Sequence, residues 1–416
     1  IDATLREVVA ELAETKNARL VGKHFHRVLT GFNLHTLRAR LLSNALAIHL
    51  EQGCLGFATG RHLPASVFAL RCRGRQLVIH TQRGRLLPGG VFDYIDGGAE
   101  DEITLRRNSE AVERLEFRPG VLRNVADVEI STTLLGKPMA FPLVLAPTGF
   151  TRIARSPGEL AVARAAERAG VPYTLSTLST RSIEEVAGAA GGRLWFQVYA
   201  WRDRGLLKAM LERAAACRYE AIMITVDTAV LGRRERDIRR GFTLPPKLGL
   251  DTLLSGALHP GWTWDFIRHE PIAFANVVGQ SVGDGSAAVR LADYINGQFA
   301  PGLSWRDIEW FQEHWSGPII LKGIQTVEDA RLAAEAGVDA IALSNHGGRQ
   351  LDGAPPPLEL VAPVADVVGD RLEIICDGGI RRGSDIVKAL ALGARACMAG
   401  RAYLYCLLYT SAAADE

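Results

Sequence analysis

His346 and Arg349 stand three residues apart in the stretch "SNHGGRQLDG", directly after the apolar run Ala340 to Leu343. Two glycines separate them, and Asp352 and three prolines follow. A neutral imidazole can take a proton, and a guanidinium can grip a planar carboxylate at two points. Side by side, they suit the deprotonation of a small organic acid held by its own carboxylate. Such a base needs a carboxylate to hold its tautomer and to stabilise the imidazolium it becomes. Asp227, which ends the apolar run "AIMITVD", is the candidate partner.

A second group of residues suits an anion of another kind. "DGGIRRGSD" (377–385) and "AGR" (399–401) place glycines just before helix starts. Free backbone N–H groups there, with Arg381 and Arg401 nearby, form a phosphate cradle. A tight glycine turn without a ligand is the plainer alternative.

The elements that must position these residues repeat from about residue 140. Short apolar runs are "PLVLAP" (142–147), "YTLST" (173–177), "LWFQVYA" (194–200), "AIMITVD" (221–227), "PIILKG" (318–323), "AIALSNHG" (340–347), "EIICDGG" (373–379) and "ACMAGR" (396–401). Continuous apolarity marks strands of a parallel sheet buried on both faces. Between them lie helical patterns such as "GELAVARAAERAG" and "TVEDARLAAEAG", each closing on a glycine suited to a helix C-terminus. Eight strands each leading toward a helix predict an α/β fold, a (β/α)8 TIM barrel. An open doubly wound sheet is disfavoured by that count and by the lack of a strand–GxGxxG–helix unit. Function in such barrels collects at the C-terminal strand ends. Polar residues interrupt the apolar runs there: Thr148, Ser176, Gln197, Tyr199, Thr225, Asp227, Lys322, Ser344, His346, Asp377 and Arg401. Each alone could be a satisfied core group; their recurrence on strand after strand points to one mouth. The fourth strand is followed by an insertion, about 228–303, far longer than a usual barrel loop.

Composition sets bounds. The chain has 416 residues and a net charge of +2, so no nucleic-acid partner is expected. Six cysteines without a CxxC pair suggest reduced thiols in a cytoplasmic protein, and no metal site is expected. No apolar run approaches the roughly 18 residues of a membrane span. Trp and Phe mixed with Arg and His in "GWTWDFIRHEPIAFANVV" do suit peripheral contact with a membrane's inner face. A mobile lid or subunit contact is the alternative for that segment. Residues 1–80 read as a separate N-terminal extension, and 81–416 as the barrel. The extension lacks acidic residues after Glu51 yet carries Glu7, Glu11 and Glu14, which argue against a transit peptide.

Taken together, "FDYIDGGAEDEITLRRN", "APTGF", "FQVYAWRDR", "TVDTAVLGRRERD", "LKGI", "SNHGGRQLDG" and "DGGIRRGSD" resemble the FMN-dependent α-hydroxy acid oxidase and dehydrogenase family. The wording is most similar to that of its bacterial L-lactate dehydrogenases. The resemblance runs from about Val91 to Tyr405. It implies a flavoprotein oxidoreductase with FMN as cofactor and a small L-2-hydroxy acid as substrate, L-lactate going to pyruvate. Electrons would pass to FMN and then to a quinone or cytochrome; an oxidase passing them to O2 is the alternative.

The resemblance also implies roles. His346 is the base, paired with Asp227. Tyr94 and Arg349 bind the substrate carboxylate, with Arg234 a second guanidinium nearby, and Tyr199 bonds the substrate hydroxyl. Lys322 stabilises negative charge on the flavin. Pro147, Thr148, Gly149, Ser176, Gln197, Thr225 and Ser344 line the flavin. Asp377, Gly378, Gly379 and Arg381, with Gly400 and Arg401, hold ribityl and phosphate. Leu178 bounds the substrate side chain. A homo-oligomer, a tetramer, is implied as well. Two parts depart from the family. Residues 1–80 match nothing in it, and although six of the ten histidines fall there, the His-Pro-Gly-Gly motif of a haem module does not. At the other end "CLLYTSAAADE" stands where the family continues, so the barrel's C-terminus reads as truncated, with weak FMN binding or an inactive fragment as the consequence.

Overall fold

The computed structural model describes residues 86–122, 124, 126–239, 255–277, 297–298 and 302–410. The N-terminal extension, 1–80, lies outside the described residues. A short antiparallel hairpin, β1 (Thr132–Leu134) and β2 (Lys137–Met139), precedes eight barrel strands. These are β3 (Leu143–Leu145), β4 (Tyr173–Ser176), β5 (Leu194–Tyr199), β6 (Ala221–Thr225), β7 (Ile319–Ile324), β8 (Ala340–Ser344), β9 (Glu373–Asp377) and β10 (Ala396–Ala399). They pair in parallel in sequence order, and β10 closes on β3. Every apolar run of the sequence is therefore a barrel strand.

Burial explains why the runs are continuous rather than alternating. Phe196, Ile222, Ile224, Leu321, Ile341 and Ile374 pack outward in one core with the surrounding helices. Their neighbours Trp195, Met223, Ile320, Ala342, Ile375 and Met398 form a second core inside the barrel. With period-two side chains, a strand apolar on both faces needs such a double core. Leu134 and Met139 of the hairpin join the inner core and plug the end away from the site. Arg193 holds the hairpin there by donating to Leu134 O at 2.7 Å, and Glu373 accepts from Leu135 N at 2.5 Å.

The helices follow the expected rhythm. Ahead of the barrel come α1 (Gly89–Asp96) and α2 (Ile103–Arg114); around it lie α3 (Gly158–Arg168), α4 (Ile183–Ala189) and α5 (Arg204–Ala216). Two short helices, α6 (Glu235–Arg239) and α7 (Pro260–Arg268), belong to the insertion. The circuit resumes with α8 (Asp307–His314), α9 (Val327–Glu335), α10 (Pro357–Val368), α11 (Gly383–Ala391) and α12 (Arg401–Thr410). The chain leaves α3 and α9 through Gly170 and Gly337, whose φ values of 64° and 70° suit glycine. Ser182 and Glu185 close a reciprocal capping box on α4.

After β10 the chain continues in α12. Its Tyr403, Leu404, Tyr405, Leu407 and Leu408 are buried. The Tyr403 hydroxyl donates to Ala146 O at 2.9 Å, and that of Tyr405 to Asp96 at 2.5 Å. "YLYCLL" is apolar on every side and so shows no helical stripe, because this helix lies between the barrel and α1 rather than on a wet surface.

Candidate active site

The strand β8 ends at Ser344, and the chain then turns through three left-handed residues. His346 has φ 58°, Gly347 64° and Gly348 74°. A β-carbon makes that conformation costly, so glycine fills two of the three places and His346 alone bears the strain. A β-carbon on Gly348 would lie 2.6 Å from Leu105 N. The turn aims the imidazole across the mouth, where Nδ1 lies 3.0 and 3.2 Å from the two carboxylate oxygens of Asp227. Burial would raise the Asp227 carboxyl, but His346 and Lys322 outweigh it and hold the group below its ordinary range. Burial also lowers His346, against the raising influence of Asp227. The pair is therefore a neutral imidazole donating Nδ1–H to a carboxylate, with Nε2 left to accept a proton.

Three arginines share the same mouth. Burial first, then Arg234 and Arg401, push the Arg349 guanidinium down to about 9. Mutual repulsion of this kind is relieved by an anion. Arg349 donates to Tyr94 O at 2.7 Å and Gly97 O at 3.0 Å, which ties it to the C-terminal end of α1. Its guanidinium lies 5.1 Å from the centre of the Tyr94 ring, and that of Arg234 lies 5.9 Å from it. Tyr199, at the end of β5, has its phenol raised by burial and by Asp227, so it stays a hydrogen-bond donor.

Behind these groups the strand ends form a polar floor. Lys322 is buried; its ammonium donates to Ser344 Oγ at 3.1 Å and lies 3.4 Å from Asp377. Gln197 accepts from Ser176 Oγ at 3.1 Å and donates to Thr225 Oγ1 at 2.8 Å. Beyond them Gly378 and Gly379, with φ 127° and 78°, turn the chain toward α11. One cleft joins all of this. Its walls include Tyr94, Pro147, Thr148, Gly149, Leu178, Gln197, Tyr199, Thr225, Arg234, Lys322, His346, Arg349, Asp377, Gly378, Gly379, Arg381, Gly400 and Arg401. Asp227, Ser176 and Ser344 stand behind the lining and bond to it.

Two details differ from a simple phosphate cradle. The amides of Arg381 and Arg382 both donate to Asp385 at 2.8 Å. Arg401 donates from all three nitrogens to the carbonyls of Ile95, Gly347 and Gly97. Sequence reasoning also missed α2, whose Leu105, Asn108 and Ser109 line the cleft. The buried Asn108 amide exchanges two hydrogen bonds with that of Asn345, at 2.9 and 2.8 Å. Both asparagines lie inside the motifs quoted above; two buried amides in motifs of one site were the available signal.

A parallel barrel that brings a histidine–carboxylate pair, a buried ammonium and clustered guanidiniums to one mouth has groups suited to an anion. The comparisons say which kind of protein carries them. Residues 84–414 match the family described as FMN-dependent dehydrogenase. An L-lactate dehydrogenase of Xanthomonas campestris pv. campestris (strain 8004) is 44% identical over 325 residues, 77% of this chain and 83% of that one. Among solved structures, the monotopic membrane protein (S)-mandelate dehydrogenase aligns with a TM-score of 0.76 and 38% identity, over 80% of this chain and 87% of that one. A mandelate oxidase aligns with a TM-score of 0.68 and 38% identity, over 81% and 89%. The chain belongs to the FMN-dependent dehydrogenase family. It is thus an oxidoreductase that uses FMN, of the α-hydroxy acid dehydrogenase and oxidase kind.

The cleft fits that cofactor. It offers a hydroxyl–amide row (Ser176, Gln197, Thr225) and a buried ammonium where a ring could lie. Gly379, where a β-carbon would lie 2.3 Å from Asn108 O, stands where a phosphate tail could follow.

Proposed function

We propose that the protein oxidises a short L-2-hydroxy acid, L-lactate foremost, to the 2-oxo acid. The observation that carries this reading is the His346–Asp227 pair opening on a cleft beside Arg349, Arg234 and Tyr94. Arg349 and Tyr94 hold the substrate carboxylate, with Arg234 as a second guanidinium. Tyr199 donates to the substrate hydroxyl. His346 Nε2 takes a proton from the substrate, and Asp227 stabilises the imidazolium formed. FMN, held by the residues of this floor, would supply the acceptor for the two electrons and the second hydrogen lost as the alcohol becomes a carbonyl. Lys322 supplies fixed positive charge where negative charge then develops. Pro147 to Gly149, Gln197 and Thr225 would line the ring, with Ser176 and Ser344 bonded behind them; Asp377 to Gly379, Arg381, Gly400 and Arg401 would surround the tail.

Leu178 favours a methyl side chain over a phenyl, in keeping with lactate enzymes among the relatives rather than the mandelate enzymes among the structures. A quinone or cytochrome is the proposed final acceptor. The likeness to a mandelate oxidase favours O2 as the second reading. Anaerobic mixing of the yellow protein with L-lactate, glycolate and mandelate tests the substrate: bleaching fastest with lactate is expected, and none with any 2-hydroxy acid overturns the reading. Peroxide release in air would decide for the oxidase.

We further propose that α7 touches a membrane surface. Trp264 and Ile267 are 63% and 68% exposed, and Arg268 stacks on Trp264. Trp262 meanwhile anchors the helix by donating to Ile153 O at 2.8 Å. No helix among the described residues is long and apolar enough to cross a membrane. Trp264→Ser with Ile267→Ser should abolish pelleting with anionic liposomes; unchanged pelleting would remove the proposal.

A further inference from the structure

We infer that Gln350 is a positioning residue, tying the loop of His346 and Arg349 to the segment that carries Asp227 and Arg234. This role rests on the reading of the site given above and deepens it. Gln350 is buried. A buried primary amide must satisfy two donors and one acceptor oxygen. Gln350 spends all of them on one segment. Nε2 donates to Asp227 O and to Val230 O, each at 3.1 Å, and Oε1 accepts from Gly232 N at 3.0 Å. Gly232 shows how close the two segments run: a β-carbon there would lie 2.1 Å from Arg349 O and 2.7 Å from Gln350 Cα.

Two main-chain bonds also hold it near its ends, Val226 N to Lys322 O and Glu100 N to Arg233 O, each at 2.9 Å. Residues 226–234 form no helix or strand, and Val230 is 77% exposed. Yet it begins with the carboxylate that orients His346, and it passes on to Arg234 two residues after Gly232. Gln350 grips the stretch between those ends, and so bears on two distances across the mouth: imidazole to carboxylate, and guanidinium to guanidinium. The charged groups bearing on His346 are Asp227 from the end of β6, Lys322 from β7 and Arg349 from its own loop. Asp227 is the one that Gln350 holds directly, through its main chain.

The test uses the FMN-loaded protein and two variants. Gln350→Met keeps the volume and removes the hydrogen bonds; Gly232→Ala forces the segments apart from the other side. The first readout is the titration of His346 by NMR on histidine-labelled protein, its signal assigned with His346→Gln. The second is the dissociation constant for oxalate, a carboxylate with no α-hydrogen, read from the flavin spectrum. Slackening Asp227 should lower the His346 pKa by about half a unit or more, because Asp227 is the neighbour that raises it. Displacing Arg234 should weaken oxalate by about fivefold. In an Asp227→Asn background, Gln350→Met should add no further shift at His346.

A lower melting temperature with both readouts unchanged would mean a merely structural role and would overturn the proposal. A full His346 shift persisting in the Asp227→Asn background would do the same. If Gln350→Met does not fold, Gly232→Ala carries both readouts. Neither readout consumes substrate. Failure of the wild type to oxidise L-lactate would therefore sink the functional reading and leave this test standing.

Discussion

At the scale of single residues, the His346–Asp227 pair keeps its neutral imidazole and its carboxylate to lower pH than the free groups would in water. His346 is kept neutral by burial while its partner is kept ionised. Activity should therefore survive to lower pH than a free imidazole allows. Protonation removes the base as pH falls, so the acid limb of kcat/KM should have its midpoint below about 6.5. A midpoint above that value would mean that another group limits the rate. His346→Gln should keep FMN and slow flavin reduction by about 10²–10⁴-fold. Bleaching within about tenfold of wild type would show that His346 is not the base. Arg349→Lys should raise KM and lower kcat, because an ammonium cannot make a two-point grip on a carboxylate. Leu178→Gly should improve mandelate relative to lactate; a wild type already favouring mandelate would end the pocket argument.

At the scale of elements, the loop after β8 is held to α1 and α2 as well as to the insertion. Asp352 accepts from Ile103 N at 3.1 Å and Thr104 N at 2.7 Å, capping α2 from 248 residues away in sequence. It replaces the local cap that Glu102 does not supply. Burial would raise the Asp352 carboxyl, but the Thr104 and Ile103 amides outweigh it and lower its pKa. A carboxyl with a depressed folded pKa contributes stability above its unfolded pKa of about 3.9 and loses it as pH falls through the folded value. Asp352→Ala should cost about 0.5–2 kcal/mol near neutral pH. The deficit should shrink in denaturant melts run toward pH 3. A deficit independent of pH would place the effect elsewhere than in the cap.

At the scale of the whole molecule, α12 packs against α1 and α3 beside the closing strand β10. It buries five large side chains, each worth about 1.5–3 kcal/mol when fully buried, against a typical domain stability of about 5–15 kcal/mol. A chain stopped after Gly400 should give no cooperative melt; a sharp transition would show that the barrel closes without it. FMN should stabilise the intact protein by about 2.7 kcal/mol at a hundredfold excess over its Kd. Riboflavin, which lacks the phosphate, should do much less if the glycine turn after β9 holds that group.

The amino-acid sequence by itself determined the barrel, because strands buried on both faces must be apolar at every position and eight such runs have one closed arrangement. It also brought out the polar residues at the strand ends, since each interrupts an apolar run. What only the tertiary structure decided lies between elements distant in sequence. The pairing of Asn108 with Asn345, the cap of Asp352 on α2 and the grip of Gln350 on residues 227–232 join segments more than 100 residues apart. None leaves a local pattern, because a buried hydrogen bond depends on where two segments meet and not on the spacing within either.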